Sequence, residues 1–146
     1  MSIKDQVHSI NLFAAITYGA HTTAVTGTAL NLLTVAGGPY YAHTIFVYVG
    51  TVTDGTHTPT LMESADGSTY TAVALTDLII PSTNGAAKDA NGVYTAAFAP
   101  LASNVDQKVG YIGVQPYIRL DTADSGTTGA VFGAKYLEGN PRHGPV

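Results

Sequence analysis

The chain has 146 residues, ten acidic and six basic side chains, a formal charge of −4 and no cysteine. The lack of thiols excludes disulfide scaffolds and thiolate metal sites. The six cations, Lys4, Lys88, Lys108, Arg119, Lys135 and Arg142, are scattered singly, which argues against the clustered positive charge that nucleic-acid phosphates require.

Charged residues make up 11% of the chain, against about 25% in an ordinary soluble domain. The surface is therefore expected to be small and hydroxylated, as suits a protomer with much of its surface in an assembly. The length fits one domain that buries roughly 70% of its unfolded surface. Residues 1–20 are apolar without clean periodicity, and Val7, Ile10, Leu12 and Phe13 suit a short helix or a docking arm. Termini are usually polar and frayed, so an apolar one needs a partner surface in its own or a neighbouring chain. Asn11, Thr17 and Tyr18 interrupt this run, leaving no span for a bilayer and no secretory signal.

Residues 21–34 read as a first strand, closed by Gly37-Gly38-Pro39. In residues 40–49, His43, Ile45, Val47 and Val49 share one phase, and Phe46 and Tyr48 the other. Apolar side chains on both phases predict a strand covered on both sides, in a sandwich interior or under a neighbouring subunit. Asp54-Gly55 marks a turn. Leu61, Met62 and Glu63 then enter a hairpin through Ser64-Ala65-Asp66-Gly67-Ser68, where Asp bonds its own backbone and Gly accepts positive φ freely.

Leu78, Ile79 and Ile80 form a short apolar run ended by Pro81, and residues 82–92, STNGAAKDANG, read as an exposed loop. Residues 93–98 resume a strand, stopped by Pro100. Over residues 105–122, Ile112, Val114, Ile118 and Leu120 share a phase expected to be buried; Tyr117, Arg119 and Asp121 share a wetter one. Residues 128–137 make the last strand, with Val131, Phe132, Tyr136 and Leu137. The tail EGNPRHGPV cannot be a central strand. About eight or nine short strands without a 3.6-residue stripe give an all-β class. The expected architecture is an antiparallel β-sandwich of jelly-roll type over residues 21–140, with an extended N-terminal arm over 1–20 and a tail over 141–146.

No catalytic chemistry is legible. There is no G-x-S-x-G, and Ser64, Ser68 and Ser125 sit in turns. Glu63 with Glu138 or an Asp could pair for glycoside hydrolysis, but a solvated strand face accounts for Glu63 as well. Asp54, Asp66, Asp121 and Asp124 match no calcium loop, and the five histidines fit no zinc signature. His43 is the histidine expected to be buried. Arg119, between Ile118 and Leu120, is expected to salt-bridge or to lie in an interface. Nine Tyr and no Trp suit subunit interfaces and sugar binding alike. No metal or cofactor is expected.

The segment VGTVTDGTHTPTLMESADGSTYTAV, then DLII, then KVGYIGVQPYIRL, then a Gly-Thr-Thr-Gly stretch and a closing PRHGP, resembles small proteins encoded among the head genes of tailed bacteriophages. Some of these are capsid decoration, or cement, proteins with a jelly-roll fold. The resemblance covers residues 40–146 and is carried by the E-S-x-D-G-S-x-Y hairpin and the later G-Y-I-G-x-x-x-Y-I-R. It implies a non-enzymatic virion protein on the outer capsid surface that clamps major capsid subunits at twofold or threefold positions and self-associates as a homodimer or homotrimer. Neither nucleic acid nor membrane is an expected partner. The candidate contacts are Ile3, Val7, Ile10, Leu12, Phe13, Arg119, Arg142 and His143. Pro116 departs from the pattern and puts pairing at the start of its strand in question, since Pro donates no hydrogen bond. The rivals are a virion-associated carbohydrate-binding jelly roll and a low-copy tail or neck protein.

Overall fold

The computed structural model describes residues 11–34 and 43–138. Ten strands lie within them: β1 (Asn11–His21), β2 (Val25–Thr26), β3 (Leu30–Asn31), β4 (His43–Val52), β5 (His57–Ser64), β6 (Thr71–Ala72), β7 (Leu78–Ile79), β8 (Gln107–Tyr111), β9 (Tyr117–Asp124) and β10 (Ala130–Glu138). They form two antiparallel sheets, ordered β1-β10-β4-β8-β7 and β2-β9-β5-β6, with β3 also on β9. The sheets pack face to face as a β-sandwich, as the sequence predicts.

Two-residue alternation decides which side chains fill the gap between the sheets. Ile45, Val47, Val109, Phe132 and Ala134 face inward from the first sheet, and Leu61, Ile118 and Leu120 from the second; all are buried. Burial of each large apolar side chain contributes about 1.5–3 kcal/mol. The expected split on β9 holds, with Ile118 and Leu120 inside and Tyr117, Arg119 and Asp121 on the half-exposed face.

Several expected boundaries are corrected. Residues 11–21 are not an arm; they form β1, paired along its length with β10. Two register shifts, between Ala14 and Ile16 and between Ile16 and Gly19, break the period-two pattern, as bulges do. Residues 21–34 supply only the short β2 and β3. Residues 93–98 form no strand; Tyr94 makes an isolated bridge to Lys88 and Phe98 plugs the core. Ile112 and Val114 are exposed, because β8 ends at Tyr111 and the chain runs irregularly to β9. Pro116 costs no pairing: it precedes β9, and its carbonyl accepts the Leu32 N–H at 2.8 Å.

Polar links close the gaps between elements. Between β1 and β9, the Gly27 N–H donates to the Leu120 carbonyl at 3.0 Å and the Thr28 N–H to the Ala15 carbonyl at 2.7 Å. Tyr136 reaches from β10 across to this seam, donating to the Thr28 carbonyl at 2.8 Å and accepting from the Leu120 N–H at 3.0 Å. The loop expected to be exposed at residues 82–92 is anchored by buried Asn84, which pairs with the backbone of Lys108. Gln107 does the same toward Ala99, through both its side-chain oxygen and nitrogen.

Candidate functional site

The outward phase of β4 is where this protein departs from an ordinary sandwich. Strand register aligns Leu12, Leu137 and Thr44 in one row across β1, β10 and β4. The next row is Ala14, Lys135, Phe46 and Lys108. In the third row Gly133 stands opposite Tyr48. A Cβ at Gly133 would lie 2.8 Å from the Tyr18 Cα and 2.9 Å from the Tyr48 ring, so the missing side chain makes the notch these rings occupy. Tyr18 and Tyr48 stack there with centroids 5.5 Å apart, and Phe46 continues the ladder at 6.3 Å from Tyr48.

This ladder is open to solvent. Leu12 is 59% exposed, Tyr18 53% and Phe46 37%. Leu12, Tyr18, Phe46, Tyr48, Lys135 and Leu137 bound a depression of about 600 Å³. Phe46 and Leu137 are shared with a second depression of about 510 Å³, which extends over Thr44, Ile79, Lys108 and Ile112. Of the nine large hydrophobic residues exposed among the described residues, five line these two depressions. Exposed apolar side chains scattered singly are normal, but a contiguous patch marks an interaction surface.

Lys108 and Lys135 flank Phe46 on the adjacent strands, and neither makes an ion pair among the described residues. The other described cations are occupied. Arg119 forms a bidentate pair with Asp121, at 2.8 and 2.7 Å, and lies 4.1 Å from the centre of the Tyr70 ring; Lys88 lies over Tyr94 at 4.3 Å.

Of the contacts expected from sequence, Leu12 lies on this face. Phe13, its neighbour, is half-buried and packs against the core. Arg119 lies on the other sheet, held by Asp121, so of its two expected roles the structure supplies the salt bridge. Ile3, Val7, Ile10, Arg142, His143 and the 141–146 tail lie outside the described residues. Sequence reasoning did not name Tyr18, Phe46, Tyr48, Leu137, Lys108 or Lys135 as contacts. The available signal was the second apolar phase of residues 40–49: with no second layer of the described residues above it, that phase is the exposed one.

Several buried titratable groups have structural partners. Tyr111, Glu138 and His43 stand in register on the inner face and are buried. The Tyr111 hydroxyl donates to Glu63 Oε2 at 2.8 Å and accepts from the Gln115 N–H at 3.1 Å; burial, then the Glu63 carboxylate, push its pKa up. His57 is fully buried as well as His43, a correction. Its Nε2 lies 3.1 Å from the Asp54 carbonyl and its Nδ1 3.3 Å from Asp124 Oδ1. Among the described residues no group of three or more His, Asp or Glu could hold a metal ion, and no helix is long and apolar enough to cross a membrane.

Two turn carboxylates give the fold a testable pH response. Asp54 accepts from Gly129 and Thr128 N–H at 2.8 and 2.9 Å through Oδ1, and from Thr127 through Oδ2. The Gly129 N–H foremost, with those of Thr127 and Thr128, lowers its pKa from 3.8 to about 2. Asp66 is also held well below the usual range, first by the Thr69 N–H and then by that of Ser68. A carboxyl whose pKa is depressed in the folded state stabilises it above the unfolded pKa, and loses that effect as pH falls through the folded one. The thermal midpoint is therefore expected to drop as pH falls from about 4 to about 2. Asp54→Asn should remove part of that drop, and circular dichroism melts across this window check it. Identical pH slopes for the variant and wild type would refute the assignment.

No family model, curated protein or solved structure matches the chain.

Proposed function

We propose that this is a non-enzymatic structural protein of a tailed-phage virion, which binds the outer capsid surface through the open face of its first sheet and stabilises contacts between major capsid subunits. The observation that carries the reading is the Tyr18-Tyr48-Phe46 ladder with Leu12 and Leu137, an apolar surface uncovered by the described residues. Such a face gains stability when another protein covers it, at about 25 cal/mol per Å² of apolar surface. The strand order supports a jelly roll: β1 and β10, first and last, are neighbours, and the sheets draw alternately on both halves of the chain. The low charge content fits a protomer whose surface is shared.

The test is the copy number in purified virions, by gel densitometry against the major capsid protein. A ratio near one or a simple fraction of one is expected. A dozen copies or fewer would reassign the protein to the tail or neck. Absence from the particle would overturn the reading and favour glycan attachment, to which an exposed tyrosine pair also lends itself.

A further inference from the structure

We propose that the partner seated on this face is an acidic-apolar protein segment: an apolar side chain packed on Phe46, flanked by two carboxylates, one reaching Lys108 and the other Lys135. The proposal rests on the reading of the face as a docking surface and names the chemistry of its occupant. The register fixes the spacing. Lys135 and Lys108 stand opposite Phe46 on the strands either side of it, and neighbouring strands lie about 4.8 Å apart, so the lysine backbones are about 10 Å apart. On a helix that distance is about seven residues at 1.5 Å each.

Charge complementarity selects this occupant. The chain has an acidic excess of four, yet among the described residues no carboxylate lines either depression. The carboxylates of Asp54, Asp66, Asp89, Asp106 and Asp124 are committed to backbone N–H groups elsewhere in the fold. Among the described residues the two lysines thus have no counter-ion, on an apolar surface. Covering them with another apolar surface would desolvate two unpaired charges, which costs several kcal/mol per ion unless each gains a partner. A second copy of this face packed on the first would bring four lysines together with no carboxylate from the described residues. A partner with two carboxylates at this spacing covers the rings and neutralises both amines.

Intact virions treated with a carbodiimide, which couples lysine amines only to carboxylates in contact, supply the first test, read by mass spectrometry. Coupling of Lys108 and Lys135 to carboxylates of another protein is the expected result. Free acetylation of both lysines in the particle, or coupling to sister copies alone, would overturn the inference while leaving the capsid reading intact.

If the protein is absent from virions, the capsid reading fails and a second measurement decides the inference: fluorescence titration of the purified full chain with two synthetic helical peptides. One carries two Glu seven positions apart around a Leu-Phe pair; the other carries Lys in their place. At least a tenfold preference for the Glu peptide is expected, retained in Lys108→Arg/Lys135→Arg and lost in Lys108→Glu/Lys135→Glu. Both positions are exposed, so the variants should keep the wild-type dichroism. Equal binding of the two peptides would overturn the inference. Tighter binding to phosphatidylserine vesicles than to the Glu peptide would reassign the lysines to a membrane surface.

Discussion

Gly129→Ala is expected to destabilise the protein by about 2–5 kcal/mol, the sum of a left-handed backbone held by a residue with a Cβ, about 1–2 kcal/mol, and an overlap that cannot relax, about 1–3 kcal/mol. Gly129 has φ +85°, and a Cβ there would overlap the His21 carbonyl oxygen and lie 2.7 Å from its carbon. The obstruction is backbone, so no rotamer change removes it. The glycine is also pinned, since its N–H donates to Asp54 and its carbonyl accepts from the Thr53 N–H at 3.0 Å. For a chain of this size the loss corresponds to a fall of roughly 7–16 °C in Tm. Gly92→Ala is the control. Gly92 has φ +80° with nothing near the added methyl, so that variant carries the conformational strain alone and should lose about 1–2 kcal/mol. Equal losses in the two variants would show that the overlap with His21 contributes nothing.

Asn84→Ala should cost about 2–4 kcal/mol, because a buried donor or acceptor left without a partner costs about 1–3 kcal/mol. The Asn84 side chain donates to the Lys108 carbonyl at 2.7 Å and the Ala97 carbonyl at 3.3 Å, and accepts from the Lys108 N–H at 3.0 Å. It thereby acts as a strand neighbour for β8 where β7 no longer reaches, and ties down the loop that delivers Phe98 to the core. Truncation leaves the Lys108 backbone bare and loosens that plug. Asn84→Asp separates the two causes. It keeps an oxygen for the Lys108 N–H but, when ionised, faces two carbonyls it cannot donate to. Its pKa should rise on folding, so its stability should decline as pH climbs above about 4. Urea melts at pH 4 and pH 7 read this directly; an aspartate variant as stable as wild type at pH 7 would refute the role of the amide.

Much of the fold is legible in the sequence where local chemistry and burial agree. The alternation of His43, Ile45, Val47 and Val49 places β4 with its inward phase, and Ile118 with Leu120 does so for β9. The hairpin at Asp66-Gly67 forms as expected, with Gly67 at φ +74° and the Asp66 carboxylate accepting from the Ser68 and Thr69 N–H groups. β1 escaped because its two bulges shift the inward phase partway along. Residues 93–98 have strand composition but bond to side chains and an isolated bridge in place of a neighbouring strand. Pro59 lies inside β5 without harm. The His57 and Leu61 carbonyls both bond away from β9, so alternation turns Pro59 to the same side, where β9 requires no donor.

The sequence by itself determined the all-β class, the turns and the inward phase of the central strands, because period-two burial and turn chemistry are properties of neighbours in the chain. It also held the low charge and the tyrosine content that favour a shared surface. Only the tertiary structure decided which residues make the candidate site. Leu12, Tyr18, Phe46, Lys108, Lys135 and Leu137 come from four strands separated by up to 125 residues, and cross-strand register sets them side by side. That register depends on the order of the strands and on the bulges in β1, which long-range pairing fixes and local sequence does not encode.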